Sequence, residues 1–369
     1  MALPSSGIIT AAMINQELGR AANAPFSLND AAVRALAGKA SGAISFADLR
    51  GKSSEIVKVI TASQGSNWGV SMRSLFTYAE WSSDTDKRII INAGVELGST
   101  FADGRAMWVQ NEAQSDSWGG KLTLENRGTL SGAGGVRNSG RGGAALFVNV
   151  SGKSGQLLQL INTGIIRGGG GGGGRGGTGG PGVVSTTVRE PASGELRDAN
   201  YSWSARVVPP HQGLPTIASL VWAGVVLYQW QGSPGSQPQF PSIPYSHGGY
   251  LYYMGAKDGD RWGVYRTYGS SSPTTGGAGG QGGLGQGYNQ ARGEGTAGAA
   301  GGTNAGAGGW GNWGGSYGEA GLTGATGAAG NAGGGAAGAA GGAAGYSILG
   351  NNRVSRSGAG SLIGPTANS

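Results

Sequence analysis

Two glycine runs constrain what this chain can fold into more than any other feature. Residues 276–345 contain 31 glycines in 70 positions and no proline, and residues 168–182 contain 12 glycines in 15 positions. Glycine has no side chain to bury and loses the most backbone entropy on folding, so neither run can form an ordinary hydrophobic core. Each run is therefore either a disordered linker or an ordered lattice that requires the absence of side chains.

The spacing of the glycines distinguishes between possible lattices. In 318–333, and again in 335–341, a glycine occupies every third position, which is the period of an extended helix with three residues per turn. Collagen shares this period, but it requires an unbroken register and is usually rich in proline. Here the frame slips after Gly333 and no proline occurs from residue 274 to 364. The pattern favours a bundle of polyglycine II helices whose other residues lie on exposed turns. A silk-like or ice-binding structural role is the alternative.

Residues 54–167 are β-rich and contain a weak repeat. The motif Asn-x-Gly-x-x-x-Gly begins at Asn92, Asn126 and Asn162, so its copies lie 34 and 36 residues apart (126 minus 92, 162 minus 126). Asn and Gly both tolerate left-handed backbone, and each motif therefore predicts a strand, a tight turn and a second strand. A period of this length predicts stacked turns of a β-solenoid. A β-sandwich with a chance similarity among its turns remains open.

Residues 1–53 predict a small helical segment. One short helix lies within 8–19, and Ser27 is the predicted N-cap of a second helix that ends at Gly38. Two such helices bury too little to be stable alone. The segment is therefore either a cap on the next domain or a docking element that needs a partner. The apolar residues that would contact such a partner are Ile9, Met13, Ile14, Leu18, Phe26 and Leu36.

The remaining segments complete a mainly β fold. Residues 183–275 are aromatic and are interrupted by prolines, which predicts short strands around a core of rings, with sugar stacking as the alternative role of those rings. The predicted organisation, in chain order, is a helical docking segment at 1–53, a solenoid-like or sandwich domain at 54–167, a first glycine run at 168–182, an aromatic β-rich insert at 183–275, a polyglycine II-type lattice with exposed loops at 276–345 and a closing segment at 346–369.

Composition excludes several functional classes. The net charge of +7 is spread thinly and no Lys/Arg cluster occurs, so we expect no nucleic-acid partner. The chain has no cysteine, and His211 and His247 lie far apart, so we expect neither a metal nor a cofactor. No apolar stretch reaches 18 residues, and no signal peptide is visible. We therefore expect synthesis in a cytoplasm without membrane insertion.

Non-glycine residues within the second run are the candidates for ligand contact. Trp310 and Trp313 have almost no apolar neighbours in the sequence, which favours exposure. The complete predicted receptor-binding set is Tyr288, Asn289, Arg292, Trp310, Asn312, Trp313 and Tyr317.

A glycan-cleaving enzyme is the competing class. Such an enzyme needs two carboxylates about 5–10 Å apart. Acidic residues are scarce, and no spacing singles out a pair among Asp84, Asp86, Asp103, Glu112, Asp116 and Glu125. We therefore expect no catalytic residue. A purely structural component with no ligand contact is a third possibility.

The N-terminal sequence resembles a known family. Residues 6–18, 27–30 and 49–53 resemble the N-terminal segment of tail fibre and tail-tip proteins of tailed bacteriophages. Residues 161–168, which lead into a glycine block, look like the glycine-rich domain of phage receptor-binding fibres, and the glycine runs resemble the tip adhesins of T-even-like phages. The resemblance implies a virion adhesin that attaches to other tail proteins by its N-terminus, binds a bacterial surface receptor through its glycine-rich half and forms a homotrimer. Those tip adhesins lack this solenoid-like middle region.

Overall fold

A computed structural model describes residues 3–102, 104–110, 118–150, 156–191, 201–206, 216–233, 244–258 and 261–368. The chain divides into two compact units, each described by itself below. The first unit combines Met1–Pro181 with Thr275–Ser369, and the second is Gly182–Thr274. No helix within the described ranges is long and apolar enough to cross a membrane.

The fold is mainly β. The α-helices are α1 (Ala11–Glu17), α2 (Ala31–Ala37) and α3 (Tyr78–Ser82), and 3-10 turns occupy Phe46–Leu49, Arg73–Leu75 and Asn351–Arg353. The strands are β1 (Glu55–Ile60), β2 (Gln64–Ser66), β3 (Val70–Ser71), β4 (Asp86–Ile91), β5 (Glu96–Ser99), β6 (Met107–Gln110), β7 (Leu122–Asn126), β8 (Thr129–Ser131), β9 (Leu146–Asn149), β10 (Leu158–Asn162), β11 (Ile165–Arg167), β12 (Gly182–Pro191), β13 (Tyr201–Arg206), β14 (Thr216–Trp222), β15 (Val225–Gly232), β16 (Tyr245–His247), β17 (Tyr250–Asp258), β18 (Arg261–Thr274), β19 (Ile348–Leu349), β20 (Val354–Ser357), β21 (Ser361–Ile363) and β22 (Thr366–Ala367).

Three parallel sheets form the middle of the first unit. Their strand orders are β1-β4-β7-β10-β20, β2-β5-β8-β11-β21 and β3-β6-β9-β19-β22. Each turn of the chain therefore adds one strand to each sheet before the next turn begins. The fourth turn is interrupted, because β11 ends at residue 167 and its third strand, β19, begins at residue 348. Both glycine runs and the entire second unit are inserted within this one turn.

Register within the first sheet explains the sequence repeat. Lys87 pairs with Leu122 and Leu122 with Leu158, which are steps of 35 and 36 residues. Asn126 pairs with Asn162, and its side-chain amide donates from Nδ2 to the side-chain oxygen Oδ1 of Asn162 over 2.7 Å. The first predicted copy, at Asn92, is out of register, since Ile91 pairs with Asn126 and Asn92 falls in a longer turn.

The three sheets enclose an apolar core. Strand β4 alternates between half-buried and buried residues, as expected when every second side chain points inward. Ile89, Leu124 and Leu160 occupy successive turns in register and are at most 1% exposed. Near the first turn, Trp81 and Trp118 pack edge to face at 5.7 Å. Beside them the buried Lys87 ammonium donates to the carbonyls of Ser83, Thr85 and Gly119, and burial lowers the pKa of this lysine.

The glycine runs form extended segments, called rods here, that are joined by backbone hydrogen bonds. The central rod, residues 168–181, follows β11. Every amide from Gly168 to Gly180 except those of Arg175 and Thr178 donates to another segment. Successive amides donate in rotation to three different neighbours; Gly170 bonds Gln286, Gly171 bonds Glu319, Gly172 bonds Gly140, and Gly173 begins the rotation again with Gly283.

Glycine is required in the central rod because its neighbours approach on all sides. A Cβ on Gly172, Gly173 or Gly174 would overlap a carbonyl oxygen of a neighbouring segment. The only other residues in this rod are Arg175, Thr178 and Pro181, which lie three apart and are exposed. The backbone amides of the rod point in three directions in turn. Arg175, Thr178 and Pro181 lie at the positions that face the direction in which this part of the rod has no neighbouring carbonyl.

The central rod is surrounded by four rods of the second glycine run, residues 275–287, 305–317, 318–330 and 333–345. A fifth rod, residues 293–302, bonds to rods 275–287 and 305–317 instead. The expectation that the candidate residues lie on turns is correct for Tyr288 and Asn289 but wrong for three others. Trp310, Asn312 and Trp313 lie inside rod 305–317, where the carbonyls of Trp310 and Trp313 accept hydrogen bonds from rod 318–330. An outer rod has neighbours on only some sides, so one position per turn can carry a side chain into solvent.

The N-terminal segment has a core of its own. Ile14, Val33 and Leu49 are fully buried there. The predicted helices are present, but Thr10 and Asp30 are their N-caps, and Ser27 instead accepts from the Asn29 amide in the preceding turn. Gly38 ends α2 with a positive φ of 71°, as predicted.

The second unit is a seven-stranded antiparallel sheet. Its order is β15-β14-β13-β18-β17-β16, and β12 also pairs with β18. Leu220, Trp222 and Tyr252 form its buried core. Tyr228 and Tyr245 bring the two edge strands together with ring centroids 5.7 Å apart. Some of the aromatic residues in this unit are therefore core, in line with one of the two expected roles.

Candidate functional site

The predicted receptor-binding residues fall into two groups in the first unit. Trp310, Asn312, Trp313 and Arg292 lie together on an outer rod surface. Tyr288 and Tyr317 instead lie where the rods meet the parallel sheets, and Asn289 is an exposed turn residue with φ 51°. The predicted set is thus not one continuous surface.

Trp310 and Trp313 form the exposed part of rod 305–317. Their side chains are 59% and 38% exposed. They lie three residues apart, which is about 9 Å along an extended segment. Leu322 of the adjacent rod is 47% exposed and donates its amide to the Trp313 carbonyl over 3.0 Å. Sequence reasoning missed Leu322, which the hydrogen-bond register places beside Trp313.

Two polar residues fix the Trp313 end of this surface. The Arg292 guanidinium lies 5.2 Å from the Trp313 ring centroid and donates from Nε to the Gly314 carbonyl over 2.7 Å. Asn312 accepts from the Trp313 amide and donates to the Thr323 carbonyl, each over 2.9 Å. Because both side chains bond to backbone, the ring is held on a rigid base.

Tyr288 lies against the outer surface of β2 and β5. A Cβ on Gly65 or Gly98 would overlap the Tyr288 ring, so these two glycines create the space that the ring occupies. Tyr288 is half-buried there, and its amide donates to the Gly132 carbonyl over 3.2 Å. This contact gives Tyr288 a role in holding the rods against the sheets.

Tyr317 belongs to a polar network at the same junction. The Arg167 guanidinium lies 3.8 Å from the Tyr317 ring centroid and donates to Ser131 Oγ and to Glu96 Oε1 over 2.8 and 2.9 Å. Burial raises the pKa of Tyr317 above its ordinary value, and the nearby Arg167 charge opposes that shift. The network connects β5, β8 and β11 to the end of rod 305–317.

The predicted virion-docking residues pack mainly within their own segment. Ile14 is fully buried, and Ile9 and Leu36 are each 9% exposed. Met13, Leu18 and Phe26 are partly buried against the same core. The segment does present Ile8 and Phe46 to solvent, which are 82% and 38% exposed.

Of the candidate carboxylates, Asp84 is exposed, two accept hydrogen bonds, and the others lie outside the described residues. Glu125 accepts from Arg88 over 3.1 Å and from Arg127, and these hydrogen bonds outweigh burial and lower its pKa. Asp86 accepts from the Lys121 amide over 2.9 Å. Asp103, Glu112, Asp116 and His211 lie outside the described residues. Within the described ranges no group of three or more metal-ligating side chains occurs.

A second aromatic surface was not predicted. Trp68 and Phe101 are 57% and 47% exposed, and their ring centroids lie 5.1 Å apart. They stand on neighbouring turns that are joined by a hydrogen bond from Ser99 Oγ to the Asn67 carbonyl over 2.7 Å. Neither residue lies in a glycine run, whereas the exposure of Trp310 was predicted from its position in such a run.

Comparison with known proteins gives one match. Residues 55–216 match the family model of the phage tail fibre adhesin Gp38, which supports a phage tail fibre adhesin. The matched range includes the strands of the first turns, the central rod and the start of the second unit. No curated protein matches the chain. No solved structure matches it either.

Proposed function

We propose that this protein is a phage tail fibre adhesin that binds a receptor on the bacterial surface through its C-terminal glycine-rich half. The observation that carries the proposal is the exposed pair Trp310 and Trp313 on a rod whose backbone is fixed by neighbouring rods. Exposed aromatic rings on a rigid scaffold are common anchors of binding surfaces. The receptor is an outer-membrane protein or a surface glycan.

The proposed architecture assigns a role to each part of the chain. The three parallel sheets act as a β-solenoid shaft, and the rods act as a polyglycine II lattice. The three-residue rotation of hydrogen bonds around the central rod supports this assignment. We propose that the N-terminal segment attaches to other tail proteins through its exposed apolar residue Ile8 and the partly buried Met13, Leu18 and Phe26.

We also propose that the virion carries three copies of the chain and that the protein is not an enzyme. Light scattering of the purified protein tests the first point, because a mass of one chain would contradict it. Incubation with purified capsule or lipopolysaccharide tests the second, because release of shortened glycan would reveal a depolymerase. The engaged state of Glu125 and Asp86 supports a non-enzymatic role.

Binding of labelled protein to bacteria tests the adhesin function. A triple variant, Arg292→Ala, Trp310→Ala and Trp313→Ala, is expected to lose cell binding while keeping its melting temperature. Trp68→Ala is the matched control, because it removes an equally exposed tryptophan outside the rods. Undiminished binding by the triple variant would contradict the assignment to this surface. Absence of binding by the unaltered protein to any phage host would favour a purely structural tail component.

A further inference from the structure

We propose that an arginine-lined surface of the rods binds phosphate groups that are exposed on the bacterial surface. This surface, called the arginine surface here, is formed by Arg137, Arg175, Thr178, Ala336 and Ala339. The location of the phosphate on bacteria rests on the proposed adhesin function, whereas the phosphate site itself does not.

The arginine surface begins where a hairpin of the first unit ends. Residues 132–143 form this hairpin, whose second arm accepts hydrogen bonds from the central rod. The last bond between the two runs from the Ser139 amide to the Gly173 carbonyl over 3.0 Å. Past this point the amides of Arg175 and Thr178 donate to no group among the residues that the structure describes. One side of the central rod is therefore uncovered beyond Gly173.

The sequence changes from glycine to larger residues at the same point. A Cβ on Gly172 of the central rod would overlap a carbonyl of the hairpin, and so would a Cβ on Gly342 of rod 333–345. The corresponding positions beyond the hairpin carry exposed side chains, which are Arg175, Thr178, Ala336 and Ala339. Because another rod would need glycine at these positions, we infer that this surface is open to a ligand instead.

Two guanidinium groups lie on successive turns beside this surface. Arg175 donates from Nε to the Gly279 carbonyl over 3.3 Å, and Arg137 of the hairpin donates from Nη1 to the Gly282 carbonyl over 3.5 Å. The two acceptors are three residues apart in rod 275–287, which is about 9 Å along an extended segment. Both arginines are exposed, and each retains N–H groups that no described residue accepts from.

No acidic group balances this positive charge. Aspartate, glutamate and lysine are absent from the sequence of the segments that border the surface, which are 132–143, 168–181, 275–287 and 333–345. Those segments contain Arg137, Arg141 and Arg175, and among the described residues none of the three forms an ion pair. By contrast, Arg88 and Arg167 are each paired with a glutamate. Exposed cations without a counter-charge attract anions.

Phosphate is the anion that makes the fullest use of these donors. Guanidinium groups bind both phosphate and carboxylate through paired hydrogen bonds. A phosphate monoester carries three acceptor oxygens and a charge of about −1.5 to −2, whereas a carboxylate has two oxygens and a single charge. The surface offers two guanidinium groups together with the amides of Arg175 and Thr178 and the Thr178 hydroxyl. We therefore expect phosphate to bind more tightly than carboxylate.

Titration calorimetry of the full-length protein with short-chain inorganic polyphosphate tests the site. The double variant Arg137→Gln and Arg175→Gln is expected to bind about tenfold more weakly, because charge-assisted hydrogen bonds are lost. Arg175→Lys keeps the charge but not the paired donors, and we expect a smaller loss of affinity. Melting temperatures within about 2 °C of the unaltered protein, as expected for exposed positions, show that the variants fold.

Arg356→Gln is the matched control for this titration. Arg356 is an exposed arginine of strand β20, and among the described residues it has no ion pair. Its substitution removes the same charge and should change the affinity less than about twofold. An equal loss in Arg356→Gln would show that binding follows net charge and would overturn the inference. Polyglutamate binding as tightly as polyphosphate would overturn it as well.

Binding to bacteria separates the inference from the function on which its second part rests. Cells are expected to bind the double variant about fivefold more weakly than the unaltered protein. Competition by lipopolysaccharide or by phosphatidylglycerol vesicles identifies the carrier of the phosphate. Undiminished cell binding by a double variant that has lost polyphosphate binding would overturn the assignment to surface phosphate and leave the adhesin function intact. The adhesin function itself fails if the unaltered protein binds no bacterial cells.

Discussion

Strand β7 and the central rod are both surrounded by neighbouring segments, but different groups hold them in place. Leu122 and Leu124 of β7 are fully buried and pack in an apolar core. The central rod buries no large side chain, and its order comes from amides that donate to several neighbours in turn. One region thus depends on side-chain volume and the other on the absence of side chains.

The largest effect is expected from adding one methyl group to the central rod. In Gly173→Ala the Cβ would overlap the Asn312 carbonyl oxygen, which itself accepts from the Gly283 amide. Because backbone must move in several rods, we expect the free energy of unfolding to fall by about 3 kcal/mol. Chemical denaturation followed by circular dichroism measures it. Gly334→Ala is the control, since no atom lies within 4 Å of its Cβ.

A comparable change in the sheets removes volume instead of adding it. Leu124→Ala leaves a cavity between Ile89 and Leu160, and we expect a loss of about 3 kcal/mol or slightly less. Val59→Ala, at a position that is 51% exposed, is expected to change stability by less than about 0.5 kcal/mol. Equal effects of the two variants would contradict an apolar core at Leu124.

A buried cation also stabilises the sheets, through hydrogen bonds rather than through side-chain packing. Lys87→Met removes the ammonium that three carbonyl oxygens accept from, and we expect a loss of about 2 kcal/mol because those acceptors lose their partner. Thermal melting at pH 7 measures it. Lys121→Met is the matched control, because Lys121 is exposed and bonds Asp86 through its backbone. A melting temperature unchanged in Lys87→Met would refute this role.

The smallest effect is expected in the N-terminal segment at low pH. Hydrogen bonds from Lys39 and from Ser45 lower the pKa of Asp48 from 3.8 to about 2. A lowered folded-state pKa adds stability above pH 3.8, and that stability is lost as the pH falls through about 2. Asp48→Asn should therefore melt with a weaker pH dependence between pH 4 and 2. The same dependence in both proteins would argue against the Lys39 and Ser45 contacts.

The sequence predicted the elements whose cause is local. The glycine at Gly38 ends α2, and the Asn126–Asn162 repeat matches the register of adjacent strands. It also predicted a mainly β chain and the exposure of Trp310 and Trp313. These features depend on residue types and on their spacing along the chain, and both can be read from a single sequence.

Other features depend on contacts between distant segments. The positions of Arg175, Thr178 and Pro181 reflect a direction in which the central rod lacks a neighbour, and no local pattern shows how many neighbours a rod has. Tyr288 was predicted to contact a receptor, yet it lies on Gly65 and Gly98, which are about 190 to 220 residues away in sequence. The burial of Ile14 likewise depends on how α1, α2 and the Phe46–Leu49 turn pack together.

Amide hydrogen exchange tests most directly whether the glycine runs are ordered by backbone hydrogen bonds. We expect amides 168–180 to exchange as slowly as those of β7, with Arg175 and Thr178 as the exceptions. In rod 293–302 we expect only one amide in three to be protected, at Gly293, Thr296, Ala299 and Gly302. Complete exchange of both rods within seconds would contradict it and would make the glycine runs flexible linkers.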